Sequence, residues 1–124
     1  MRIVLVDDRP DLRLITRLLL CQEADMTVVG EASNGAEALE VVAEVQPDVV
    51  LMDVEMPILD GIAATQRLRA ADPDLPVVLW TGCADEFTLR AGLRAGAVGY
   101  LLKTARREEL VAAIRRALAG HDSA

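Results

Sequence analysis

Five short apolar runs rich in β-branched residues punctuate the chain: Ile3–Val6, Met26–Val29, Val49–Met52, Val77–Trp80 and Val98–Leu102. Three of them are almost continuously apolar, as expected of strands buried on both faces of a parallel sheet. Five stretches of helical period alternate with them, over roughly 10–22, 35–45, 61–70, 85–95 and 106–119. Asn34 and Asp60 stand where N-caps belong, Pro10 suits a first helical turn, and Gly96 and Gly120 occupy C′ positions. Pro47, Pro57, Pro73 and Pro76 fall between elements, where they break nothing. The alternation predicts an α/β fold: a doubly wound (βα)5 domain with right-handed crossovers and helices on both faces of the sheet.

The 124 residues suit one domain, and 52% hydrophobic content is enough for a core. With aromatics at 2% (Phe87, Trp80 and Tyr100), that core is built from Val, Leu, Ile and Ala. The net charge of -7 argues against a nucleic-acid-binding surface on this chain, since phosphate backbones demand a basic footprint. No apolar run approaches the ~18 residues that span a bilayer, and Asp7 and Asp8 interrupt the first run too soon for a secretory segment. Cys21 and Cys83 form neither a disulfide framework nor a metal-ligand spacing. A cytoplasmic location is the expectation.

In an open α/β sheet, ligands bind beyond the carboxyl ends of the strands. Strand 1 ends at Asp7-Asp8, strand 3 at Asp53, strand 4 at Thr81 and strand 5 at Lys103, whereas Glu31-Ala32-Ser33 after strand 2 reads as loop chemistry. Singly, each carboxylate reads as a helix cap or solvated loop residue, and Lys103 as a surface lysine. Jointly they place three carboxylates, a hydroxyl and an ammonium on one rim. Crowded carboxylates repel unless a cation intervenes, and hard oxygen ligands on an open site suit Mg²⁺. Three negative charges, Lys103 and a divalent cation then sum to zero, so a dianionic phosphoryl group can enter and a carboxylate can act as its nucleophile.

These residues carry a resemblance. Asp7-Asp8, the run Asp53-Val54-Glu55-Met56-Pro57-Ile58-Leu59-Asp60-Gly61, Thr81 and Tyr100-Leu101-Leu102-Lys103 resemble, in order and spacing, the receiver domain of two-component response regulators. Val28–Gly35 and Ala97–Lys103 look most like the NarL/FixJ subfamily, whose members usually carry a C-terminal helix-turn-helix domain that binds DNA. The resemblance implies a flavodoxin-like five-stranded sheet of order 2-1-3-4-5, with a receiver over residues 1–120, a tail or linker start over 121–124, and a DNA-binding domain absent from this chain. It implies that Asp53 accepts a phosphoryl group from a sensor histidine kinase. Asp8, Asp53 and the main-chain carbonyl of Glu55 ligate Mg²⁺, and Asp7 acts through a metal-bound water. Lys103 and Thr81 engage the phosphoryl group, and Tyr100 follows Thr81 inward as a switch. Side chains at Glu55 and Cys83 tune phosphoryl lifetime. Such a chain is a signalling switch rather than an enzyme.

Departures from the family pattern are Thr104, where many receivers have a cis proline, and Gly82, where alanine is common. Rival readings are a stand-alone receiver acting by protein contact, and a Mg²⁺-dependent aspartyl-phosphate phosphohydrolase. The latter needs a second Asp two residues after Asp53, where this chain has Glu55. A flavodoxin-type flavin site needs a Ser/Thr/Gly-rich first loop, and Asp7-Asp8-Arg9-Pro10 repels a phosphate. The interior Gly92 predicts an easily opened fourth helix. Six large apolar residues, Leu12, Leu14, Ile15, Leu18, Leu19 and Leu20, spread too widely for a one-sided helix. They predict a homodimer through helices 1 and 5, with Leu14 or Leu20 partly exposed and Arg13 and Arg17 marking the polar face.

Overall fold

The computed structural model describes residues 1–82 and 85–122. Five strands, β1 (Arg2–Val6), β2 (Thr27–Ala32), β3 (Val49–Asp53), β4 (Val77–Thr81) and β5 (Gly99–Leu102), alternate with five helices. The helices are α1 (Pro10–Leu20), α2 (Gly35–Val45), α3 (Gly61–Ala71), α4 (Glu86–Ala95) and α5 (Arg107–Asp122). The strands form one parallel sheet of order β2-β1-β3-β4-β5, the arrangement the motifs imply.

Period-two alternation splits the core. Ile3, Leu5, Val49, Leu51, Val78 and Trp80 face α1 and α5, with Leu20, Leu110 and Ile114 beneath them. Val4, Val6, Val50, Met52, Val77 and Leu79 face the other layer, against Ala38, Ala64 and Leu68 of α2 and α3. Asn34 and Asp60 cap as expected, accepting from the N–H groups of Glu37 and Ala63 at 2.8 Å each. Gly96 closes α4 with φ 110. Gly120 does not close α5, which runs on to Asp122.

One expectation changes. β2 continues to Ala32, because the ladder to β1 extends through Leu5–Glu31 and Val6–Ala32; Glu31 is therefore a strand residue. Gly92 is buried, and a Cβ there would overlap the Leu79 side chain.

One backbone feature sits beside the rim. Ile58 has φ 71 and is 83% exposed, in a three-residue turn closed by the Leu59 N–H on the Pro57 carbonyl at 2.8 Å. A β-branched residue with positive φ is strained, and this side chain gains little from burial. Ile58→Gly is expected to stabilise the chain by about 1 kcal/mol, the released strain exceeding glycine's entropy loss. Urea unfolding checks this. A destabilised Gly variant, or a Val variant matching it, contradicts the strain argument.

Candidate functional site

The rim is assembled by strand ends. Past Val6 the ladder gives one more bond, from the Asp7 N–H to the Ala32 carbonyl at 3.0 Å, which carries Asp7 into the interior at 5% exposure. Asp7 Oδ1 then accepts the Arg9 N–H at 2.9 Å. Asp8 between them is exposed. It is not a helix cap: Arg9 holds that position, with no side-chain cap. Asp53 ends the central strand at 2% exposure, and Thr81 ends β4, also buried. Lys103 follows β5, its N–H bonded to the Thr81 carbonyl at 2.8 Å. Its ammonium lies 3.0 Å from Asp53 Oδ1 and 3.4 Å from Asp7 Oδ2. Among the described residues no peptide is cis, so the Lys103–Thr104 bond is trans.

Asp7, Asp8 and Asp53 each offer a carboxylate oxygen within 4.8 Å of the others. Burial pushes the Asp53 carboxyl up from 3.8 to about 6, with Asp7 adding repulsion, and Lys103 and the Glu55 N–H pulling the other way. Asp53 Oδ2 is buried with no hydrogen-bond partner. An orphaned acceptor beside two further carboxylates, one of them open to solvent, fits a hard divalent cation that retains waters. The rim satisfies the donor chemistry of Mg²⁺.

The remaining expected residues are less uniform. The Glu55 N–H reaches Asp53 while its side chain is exposed. Gly61 is required by close approach, because a Cβ there would collide with the Asp53 carbonyl oxygen; its own N–H bonds the Val54 carbonyl at 2.9 Å. Tyr100 is 42% exposed, on the outer side of a small gap lined also by Val54, Leu79, Thr81, Thr88 and Leu89. Cys83 lies outside the described residues.

Three residues beside the rim were read otherwise from the sequence. Arg13 and Arg17 point at β2, where Glu31 accepts from Arg13 Nε at 3.1 Å and from Arg17 Nη1 at 3.0 Å. Arg13 also donates from Nη1 to the Asp7 carbonyl at 2.6 Å. The signal was present: two cations at i and i+4, on a helix whose next strand carries a lone acid, need a shared partner.

A family model described as the response regulator receiver domain matches residues 3–115. Response regulator GacA of Pseudomonas aeruginosa is 45% identical over 121 residues, covering 96% of this chain and 56% of that protein. The nitrate/nitrite response regulator protein NarL of Escherichia coli is 37% identical over 118 residues, covering 95% and 55%. The chain thus spans about half the length of the curated relatives it matches. Among solved structures, the signal receiver domain of a NarL response regulator from Mycobacterium tuberculosis superposes with a TM-score of 0.92 at 34% identity, covering 96% of both chains.

Proposed function

The chain belongs to the response regulator receiver family, and from that premise we propose that Asp53 is its phosphoacceptor, serving a sensor histidine kinase. The observation that carries this reading is the buried Asp53 carboxylate, one oxygen on Lys103 and the other without a partner. One oxygen of that carboxylate attacks phosphorus; the bond to the donor's imidazole nitrogen breaks, and the imidazole leaves with the bond pair and takes up a proton. Asp8, Asp53 and the Glu55 carbonyl are the residues to hold Mg²⁺, with Asp7 one water away. The bound cation supplies charge neutralisation at the phosphoryl oxygens. Lys103 stays on the reacting carboxylate and balances the arriving negative charge. In this reading Thr81 donates its hydroxyl to a phosphoryl oxygen, and the half-exposed Tyr100, which lines a small gap with Thr81, follows it as the switch. Intact-mass analysis after incubation with an acyl phosphate and Mg²⁺ tests the reading: one phosphoryl group is expected, and none without the cation.

Output through transcription is part of the same proposal. The relatives include a Bacillus subtilis protein named a transcriptional regulatory protein, at 43% identity. The chain's charge of -7 supports a reading in which DNA is contacted by a separate domain. Among the described residues, no helix is long and apolar enough to cross a membrane.

Pairing of two chains through α1, with α5 alongside, completes the reading. Leu14, Ile15 and Leu18 are 45%, 52% and 56% exposed, forming an apolar outer stripe, whereas Leu20 is fully buried. On α5, Arg115 is paired with Glu23 and Asp25 of the same chain. Leu14→Glu/Leu18→Glu is expected to convert a dimer to a monomer in light scattering at high micromolar concentration. A wild-type monomer in that range, with and without a phosphoryl mimic, sinks the dimer.

A further inference from the structure

Asp8 is the one rim carboxylate exposed to solvent. The direction in which its side chain leaves the chain is set by the backbone, and both peptide groups flanking it are held. The following one is held by the Arg9 N–H on Asp7 Oδ1, at 2.9 Å. The preceding one is held by the Asp7 carbonyl accepting from Arg13 Nη1, at 2.6 Å. A peptide group is planar, so fixing its carbonyl fixes the next N–Cα bond. Two fixed planes leave the Asp8 Cα–Cβ bond a single direction.

Arg13 is itself locked. Its side chain is 19% exposed, and its Nε is gripped by Glu31, whose second oxygen is occupied by Arg17. A guanidinium can serve both partners at once because its donors form a rigid planar fork.

We propose that Arg13 is a positioning residue for the cation site, aiming the Asp8 carboxylate through the Asp7–Asp8 peptide; this rests on the reading of the rim as a Mg²⁺ site. Arg17 provides the internal comparison, since it shares Glu31 but does not touch the Asp7 carbonyl in any described contact. Groups that orient metal ligands typically govern affinity by about 10–100-fold.

Trp80, the only tryptophan, lies opposite Asp53 in the β3–β4 ladder and reports on the rim by its fluorescence. In Mg²⁺ titrations, Arg13→Met is expected to weaken binding about tenfold, and Arg13→Lys, which keeps one donor, to recover most of that loss. Arg17→Met should bind within about twofold of wild type, since the bond to the Asp7 carbonyl survives. Thermal melts without Mg²⁺ should fall similarly for both Met variants, so the split lies in cation affinity alone. Wild-type affinity in a folded Arg13→Met chain overturns the proposal, as does an equal loss in Arg17→Met. Should Arg13→Met not fold, Glu31→Gln carries the test: it loosens Arg13 and must weaken Mg²⁺ by about threefold. Unchanged affinity there is equally fatal. If wild type itself gives no Mg²⁺ response, the cation-site reading fails and takes Arg13 with it; if only the variants fail to differ, Arg13 alone falls.

Discussion

Asp53→Asn is expected to take up no phosphoryl group from an acyl phosphate under conditions where wild type labels fully. The substitution preserves shape and volume at a site that is 2% exposed, so packing against the strand end is retained. What is lost is the nucleophile: an amide oxygen has no charge to form the acyl phosphate, and the ion pair with the Lys103 ammonium 3.0 Å away is reduced to a hydrogen bond onto a neutral amide oxygen. Asp7 and Asp8 remain in the variant and could in principle accept the group. Asp7 is tied to Arg9 and Lys103, and Asp8 is solvent-exposed, the Lys103 ion pairs being to Asp7 and Asp53. Intact mass together with acid lability measures the outcome. Labelling of the Asn variant to the wild-type extent assigns the acceptor elsewhere.

The rim was legible because its members are the first polar residues after apolar runs, with Asp8 directly behind Asp7. Strand ends in a parallel sheet share one edge, so local reading of Asp7, Asp8, Asp53, Thr81 and Lys103 already implied their meeting. The caps at Asn34 and Asp60 were legible for the same reason: each signal lies within one helical turn.

What escaped local reading depends on partners distant in sequence. Glu31 looked like loop chemistry because it lies past Gly30, after the apolar run Met26–Val29 has ended; only the β1 ladder, opposite Leu5, draws it into β2. Once there it recruits Arg13 and Arg17, which on a helical wheel look like the solvent face. The outward side of α1 is instead apolar, at Leu14, Ile15 and Leu18. Gly92 has a distant partner too: helix propensity counts its entropy and not the proximity of Leu79. Gly120 carries a stop signal that α5 does not obey; a glycine in a final turn costs a helix little once its earlier face is anchored by Leu110, Ile114 and Ala117.

Without Mg²⁺, stability is expected to fall as pH rises through the interval between 3.8 and about 6, and Asp53→Asn is expected to remove that fall. In the unfolded chain Asp53 titrates at its ordinary value, whereas in the folded chain burial holds its proton to about 6. Across that window the folded state binds more protons, so raising the pH favours unfolding. Below the window both states are protonated and the site costs nothing; above it the full penalty is present. A shift of this size corresponds to at most about 3 kcal/mol. That shift is already net of the Lys103 ion pair, so it is also the upper bound on what the variant gains at neutral pH. Saturating Mg²⁺ should close the gap from the other side, since a ligand at a hundred times its Kd stabilises wild type by about 2.7 kcal/mol. The Asn variant, with a poorer ligand set, gains less. Urea unfolding of both proteins from acid to neutral pH, with EDTA and with Mg²⁺, measures all of this. A difference between variant and wild type that stays constant with pH would remove the buried, cation-hungry carboxylate from the account of this rim.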